Sequence, residues 1–205
     1  TSGEIEFQSA GVTKASITSA GLTVGGSNIS PQPTFRNLII NGDMRIAQRG
    51  TSVSGITGGG YFTVDRMYQG IAGAGTWTIT QDTDVPTGQG FASSLKYLCT
   101  TANASLTGTN QVAVDTRIEG QNLQQLSYGT ANAKTTTLSF WVKSNKTGTQ
   151  TLEILGYGAA TNSISTTYTI DTADTWEKKT ITVEGDTSKT IVNTNAAGFQ
   201  VKWWF

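Results

Sequence analysis

TTTLSFWVKSNKTGTQTLEILGY, residues 135–157, holds two apolar-alternating segments and the turn between them. In TLSFWVK the apolar Leu138, Phe140 and Val142 alternate with Ser139, Trp141 and Lys143. A period of two is that of a strand, so the first three point to a core and the others away from it. SNKTGTQ (144–150) is turn chemistry, and TLEIL resumes the apolar signal after it. The unit is a pair of strands, and the same grammar extends in both directions.

Towards the C-terminus, TWEKKTITVEG (175–185) puts Ile181 and Val183 on one face with Glu177 and Lys179. Trp176 falls in line with Lys178, Thr180 and Thr182. In FQVKWWF (199–205), Phe199, Val201, Trp203 and Phe205 share a face, leaving Trp204 with Gln200 and Lys202. Three tryptophans, Trp141, Trp176 and Trp204, thus lie on the polar side of their strands.

Working outward, strands are expected near 37–41, 62–69, 75–81, 93–100, 111–118, 135–143, 149–157, 164–170, 176–184 and 198–205. Gly, Asn and Asp clusters such as GITGGG (55–60) and TANASLTGTN (101–110) separate them, and only QNLQQL (121–126) suits a helical turn. Composition agrees, since the 36 threonines favour pleated, half-exposed surfaces over helices. The expected fold class is all-β, a two-sheet jelly-roll β-sandwich over 35–205.

Residues 1–34 differ. Their apolar residues, Ile5 with Phe7 and Leu22 with Val24, are too few for a compact core. Two readings stand: a disordered linker, or an extended β stalk-like segment in which each chain lends one apolar face to its neighbours. Ser30-Pro31-Gln32-Pro33 marks the expected boundary. The chain begins without Met and stops on strand-like sequence, so it is expected to be cut from something longer, its last domain included.

Charge and residue type narrow the chemistry. Formal net charge is zero and no Lys or Arg run exceeds two, so a phosphate-binding footprint is lacking and nucleic acid is not an expected partner. No stretch of about 18 apolar residues suggests membrane insertion, and no leader pattern is visible. Cys99 is the single cysteine, read as a small apolar strand residue. The chain has no His, which removes Ser-His chemistry and a zinc site, so no cofactor and no metal are expected. The Asn41-Gly42-Asp43 turn alone is too poor in oxygens for calcium. A glycosidase needs only two carboxylates. The candidates Glu119, Glu153, Glu177, Glu184, Asp65 and Asp115 mostly sit beside Lys or Arg or next to turns, which reads as solvated pairing, and none is assigned a catalytic role. The expectation is therefore a chain that is not an enzyme.

Two groups remain as site residues. Asp65 and Arg66, read as neighbours in one strand facing opposite ways, are expected to pin the fold through separate partners. Trp141, Trp176, Trp204 and Tyr157 offer flat rings suited to the apolar face of a sugar. The same rings also suit packing beneath a loop or against another subunit.

Several stretches carry a resemblance. NLIINGDMRIAQRGTS (37–52) followed by YFTVDRMY (61–68) resembles the start of domains in phage tail-fibre and other virion proteins. RIEGQNLQQL (117–126), TTTLSFWVKSNKTGT (135–149) and TWEKKTITVEGD (175–186) resemble later strands of the carbohydrate-binding-module-like jelly rolls of such proteins. Met67 departs from the pattern, standing where the related motif carries Trp. The resemblance implies a virion location in a tail fibre, a homotrimer contacting other virion proteins, and host surface glycan as ligand. A virion decoration or adaptor protein without a host ligand is the alternative, and a polysaccharide-degrading fibre enzyme a third reading.

Overall fold

A computed structural model describes residues 5–18, 21–24, 27–29, 37–156 and 162–205. The chain divides into two compact units, 1–37 and 38–205. Within the first, β1 (Ile5–Ser9), β2 (Val12–Thr18), β3 (Gly21–Val24) and β4 (Ser27–Ile29) form an antiparallel sheet in sequence order. Ile5 pairs with Ile17, Phe7 with Ala15, and Ala15 with Val24, so these residues share one side of the sheet. Ile5, Phe7, Ile17 and Val24 are 58%, 55%, 42% and 43% exposed, so this side of the sheet presents an apolar face. The Pro31 to Pro33 boundary lies outside the described residues.

The second unit is a β-sandwich. The ten strands among its described residues are β5 (Ser52–Ile56), β6 (Met67–Ala72), β7 (Thr76–Asp82), β8 (Ser94–Thr101), β9 (Gln111–Glu119), β10 (Thr136–Val142), β11 (Gly148–Gly156), β12 (Asn162–Ile170), β13 (Glu177–Val183) and β14 (Ala197–Trp204). Five of them form one antiparallel sheet in the order β12-β11-β14-β9-β6. Two smaller sheets, β5-β7-β8 and β10-β13, pack on one face of it. GQNLQQL (120–126) forms two single-turn 3-10 helices, Gly120–Asn122 and Gln124–Leu126. No helix among the described residues is long and apolar enough to cross a membrane.

Alternation decides which side chains fill the interior. Leu138, Phe140, Val142 and Ile181 from β10-β13 meet Leu152, Ile154, Tyr168, Ile170, Phe199, Val201 and Trp203 of the large sheet. Phe140 sits edge-on to both Tyr168 (5.1 Å between centroids) and Trp203 (5.7 Å), a favoured aromatic geometry. Further along the same face, Ile71 and Val112 pack with Ile56 and Ile79 under the three-stranded sheet.

Three expectations are corrected. Residues 37–41 form no strand: the chain turns there, with Leu38 and Ile39 packed on the core and Ile40 exposed. The strand expected over 62–69 begins only at Met67, because Arg66 adopts a left-handed φ of 70°. Asp65 and Arg66 therefore occupy a turn and not a strand. Cys99 lies in β8 as expected but is exposed.

Candidate ligand-binding faces

The second unit presents two outward faces, one on each side of the sandwich. On the β10-β13 side the register pairs Ser139 with Thr180 and Trp141 with Lys178, so both pairs point away from the core. Trp141 is half-buried there. Lys143 and Trp176 continue the same face, and both bind Asp84 of the loop after β7. The Lys143 ammonium lies 2.6 Å from Asp84 Oδ2, and the Trp176 indole N–H donates to Oδ1 at 2.9 Å. These two bonds hold the Asp84 carboxyl below its usual range. The polar handle of Trp176 is thus occupied within the chain. Asp84 escaped the sequence reading because nothing in its local sequence announces a partner 92 residues away.

The other outward face belongs to the five-stranded sheet. Lys202 of β14 is opposite Asp115 of β9 on one side and Glu153 of β11 on the other, while Tyr68 of β6 is opposite Asp115. One cross-strand row therefore reads Tyr68, Asp115, Lys202, Glu153. Flanking it are Arg117 with Gln200 in one direction and Ala113 with Trp204 in the other. Trp204 is fixed at two points: its indole N–H donates to Glu153 Oε2 at 3.2 Å, and Lys202 Nζ stands 3.8 Å above its ring. Asp115 is the floor, its side chain 3% exposed. Burial raises its pKa, against the opposing pull of a Gln200 hydrogen bond and the charges of Arg117 and Lys202. Asp115 Oδ1 has no hydrogen-bond partner, its nearest cation being Arg117 Nε at 3.8 Å.

Of the other site residues, Asp65 accepts from Arg49 Nη1 at 2.9 Å, and Arg66 reaches Glu119 at 3.9 Å, so the two have separate partners. Asn41 binds the Asp65 carbonyl as well, at 2.9 Å. Tyr157 lies outside the described residues. The structure thus brings Trp141 and Trp176 to one face and sets Trp204 on the opposite one. An apolar cleft of about 260 Å³ between Trp77, Leu106 and Phe205 is smaller than the usual small-molecule site of roughly 300 Å³ or more. Among the described residues no group of three or more His, Cys, Asp or Glu side chains is arranged to hold a metal ion.

No protein-family model and no curated protein matches the chain. Among solved structures it is similar to the enzymatically active domain of tailspike protein 4 of bacteriophage CBA120, with a TM-score of 0.46 and 15% identity over 82% of this chain and 19% of that one. The chain thus spans about a fifth of the protein it matches. This match corrects the expectation that the chain is not an enzyme, since its counterpart is described as enzymatically active. The expectation rests on the missing His, which excludes only chemistry that needs an imidazole, and on acidic residues that read locally as solvated pairs. Asp115 and Glu153 stand two strand spacings apart on the outer face of the large sheet, with Lys202 between them.

Proposed function

We propose that the chain is a structural component of a phage tail fibre, homotrimeric through its N-terminal sheet, whose jelly-roll sandwich contributes to recognition of host surface glycans. The observation that carries this reading is the apolar face of the first unit, where Ile5, Phe7, Ile17 and Val24 stand together in water. Such a face is a liability for an isolated chain and an interface for an assembled one. A closed cyclic assembly covers it in every copy without leaving an open end. The resemblance of 37–52, 117–126, 135–149 and 175–186 to virion jelly rolls supports the fibre location and the glycan as ligand.

Light scattering on the size-fractionated chain tests the assembly. The expected mass is three times that of one chain, and Phe7→Glu with Ile17→Glu is expected to yield monomers whose sandwich still melts cooperatively. A wild-type chain that stays monomeric at all concentrations refutes the reading.

A further inference from the structure

Asp115 is a costly residue in its position. A carboxyl group taken from water loses several kcal/mol of hydration unless hydrogen bonds replace it, and buried acceptors are almost always satisfied. Here the side chain is 3% exposed and Oδ1 has no hydrogen bond, only the longer Arg117 ion pair at 3.8 Å. Register places this group on the outer face of the large sheet and not in the sandwich interior, because its neighbours across the strands are Tyr68 and Lys202, whereas Thr116 and Val114 point inward with Val201 and Trp203. What covers it therefore includes the long arms of its own face. Arg117, the nearest, is 54% exposed. Exposed side chains change rotamer in picoseconds to nanoseconds, so reaching Oδ1 requires no backbone opening.

Around this acceptor the surface has a definite chemistry. Arg117 and Lys202 supply two cations, Asp115 and Glu153 two carboxyl groups, and Gln200 an amide, all on one side of three adjacent strands. From Asp115 to Glu153 the row spans two strand spacings, about 10 Å. The formal charges balance, so the patch carries no net charge to favour an anion or a cation. Groups that donate and accept from adjacent positions suit it best, and vicinal hydroxyls do both. Trp204 adds a flat apolar surface beside the row. Its indole N–H bond to Glu153 orients the ring, so less rotamer freedom remains to be lost on binding.

We propose that the outer face around Asp115, Gln200, Lys202 and Trp204 is a binding site for an uncharged hexopyranose unit, with a sugar hydroxyl donating to Asp115 Oδ1 and the sugar's apolar face against the Trp204 indole. This inference rests on the glycan part of the reading above and gives it a location, away from the Trp141 and Trp176 face. Arg117 swings off Asp115 to bind a neighbouring hydroxyl oxygen. Lys202, which shares a row with Asp115 and lies 3.8 Å over the indole, is displaced from the ring by the sugar.

The test uses the full chain and two probe sets, methyl hexopyranosides and the corresponding methyl uronides, observed by saturation-transfer NMR and titration. At least one methyl hexopyranoside is expected to bind, more tightly than its uronide. Asp115→Asn and Trp204→Ala are each expected to weaken it tenfold or more, with circular dichroism unchanged, while Trp141→Ala leaves it unaltered. Should Asp115→Asn misfold, Lys202→Met with Trp204→Phe tests the same face without touching the buried group, and a combined loss of tenfold or more is expected. The proposal fails if no neutral probe binds, if the uronides bind better, or if only Trp141→Ala abolishes binding. None of these outcomes alters the mass measured by light scattering, so failure of this site and failure of the trimeric assembly are read separately.

Discussion

The indole N–H of Trp176 donates to Asp84 Oδ1 at 2.9 Å, tying the start of β13 to the loop that leaves β7. Lys143, beside β10, holds the other oxygen at 2.6 Å. The two small sheets that cover the large one do not pair with each other. One carboxylate therefore joins them, through residues whose local sequences are unrelated.

Asp84→Ala is expected to remove both bonds and lower the melting temperature by a few degrees, and Trp176→Phe, which keeps the ring, by less. Residues that share a partner do not act independently, so the double variant should lose less than the sum of the singles. Thermal unfolding of the four proteins measures this. Strict additivity would show that Trp176 and Asp84 are neighbours without coupling.

Glu177 gives the fold a defined acid sensitivity. Its carboxylate accepts from Lys179 Nζ at 2.6 Å and from the backbone N–H of Thr172 at 2.7 Å and of Asp171 at 3.0 Å. The Lys179 bond leads in pulling its pKa from the ordinary 4.5 to about 2. A carboxyl whose folded pKa is depressed contributes its stability above the unfolded pKa and loses it as pH falls towards the folded one. The contribution is therefore whole at pH 6 and declines from about pH 5 to about pH 2. Urea midpoints recorded across this range should fall less steeply for Glu177→Gln than for the wild type. Parallel curves would show that the carboxylate is not titrating against the fold.

Asn41 organises the loop that the sequence offers as a strand. Its amide donates to the carbonyls of Ile46 and Asp65, its Oδ1 accepts from the Ile46 N–H, and all three distances are 2.9 Å. The backbone takes a φ of 58°, which Asn tolerates better than most residues. Asn41→Ala loses three bonds and meets that conformational penalty, for an expected cost of about 2–4 kcal/mol. Asn41→Gly loses the bonds but not the conformation and should cost about 1 kcal/mol less. Chemical denaturation of both resolves the difference, and equal effects would assign the whole role to hydrogen bonding.

The turn at 37–41, expected as a strand, and the strand β5, which was not expected, show what sequence pattern reads and what it misses. Alternation located β7 to β14, although β9 and β14 bury neighbours on both faces, as at Asp115 and Thr116 and at Gln200 and Val201. LII at 38–40 is apolar because Leu38 and Ile39 do pack on the core. Burial alone does not distinguish a strand from a turn held against it. β5 was concealed for the opposite reason: SVSGI has one fully buried residue, Ile56, and its pairing with β7 slips between Val53 and Ile56, where Gly55 has a φ of 75°. For the candidate site, period two put Trp204 with Gln200 and Lys202 correctly. That Asp115 and Glu153 flank Lys202 depends on strand order β11-β14-β9, which pairs residues about 50 and 87 positions apart and leaves no local signal.

That strand order also depends on Gly198. The β14–β9 register shifts between Ala197 and Phe199, and the glycine at the shift lies against another, Gly120, at the end of β9. A Cβ on Gly198 would stand 2.6 Å from Gly120 Cα and 2.9 Å from both Ile191 and Leu123 side chains. The side chains have some latitude, but the Gly120 backbone does not. It is fixed by the Gly120 N–H to Ala196 carbonyl bond at 2.9 Å and faces the Val192 carbonyl on its other side. Gly198→Ala therefore overpacks a backbone contact and should destabilise by about 1–3 kcal/mol or more. Because this contact sets where β14 begins against β9, its loss should reach the outer face. Hydrogen exchange should rise first at the amides of 197–201 and 117–120, ahead of β10 and β13. Uniform exchange across all strands would place the effect of Gly198 in global stability and not in the alignment that brings Asp115, Lys202 and Glu153 into one row.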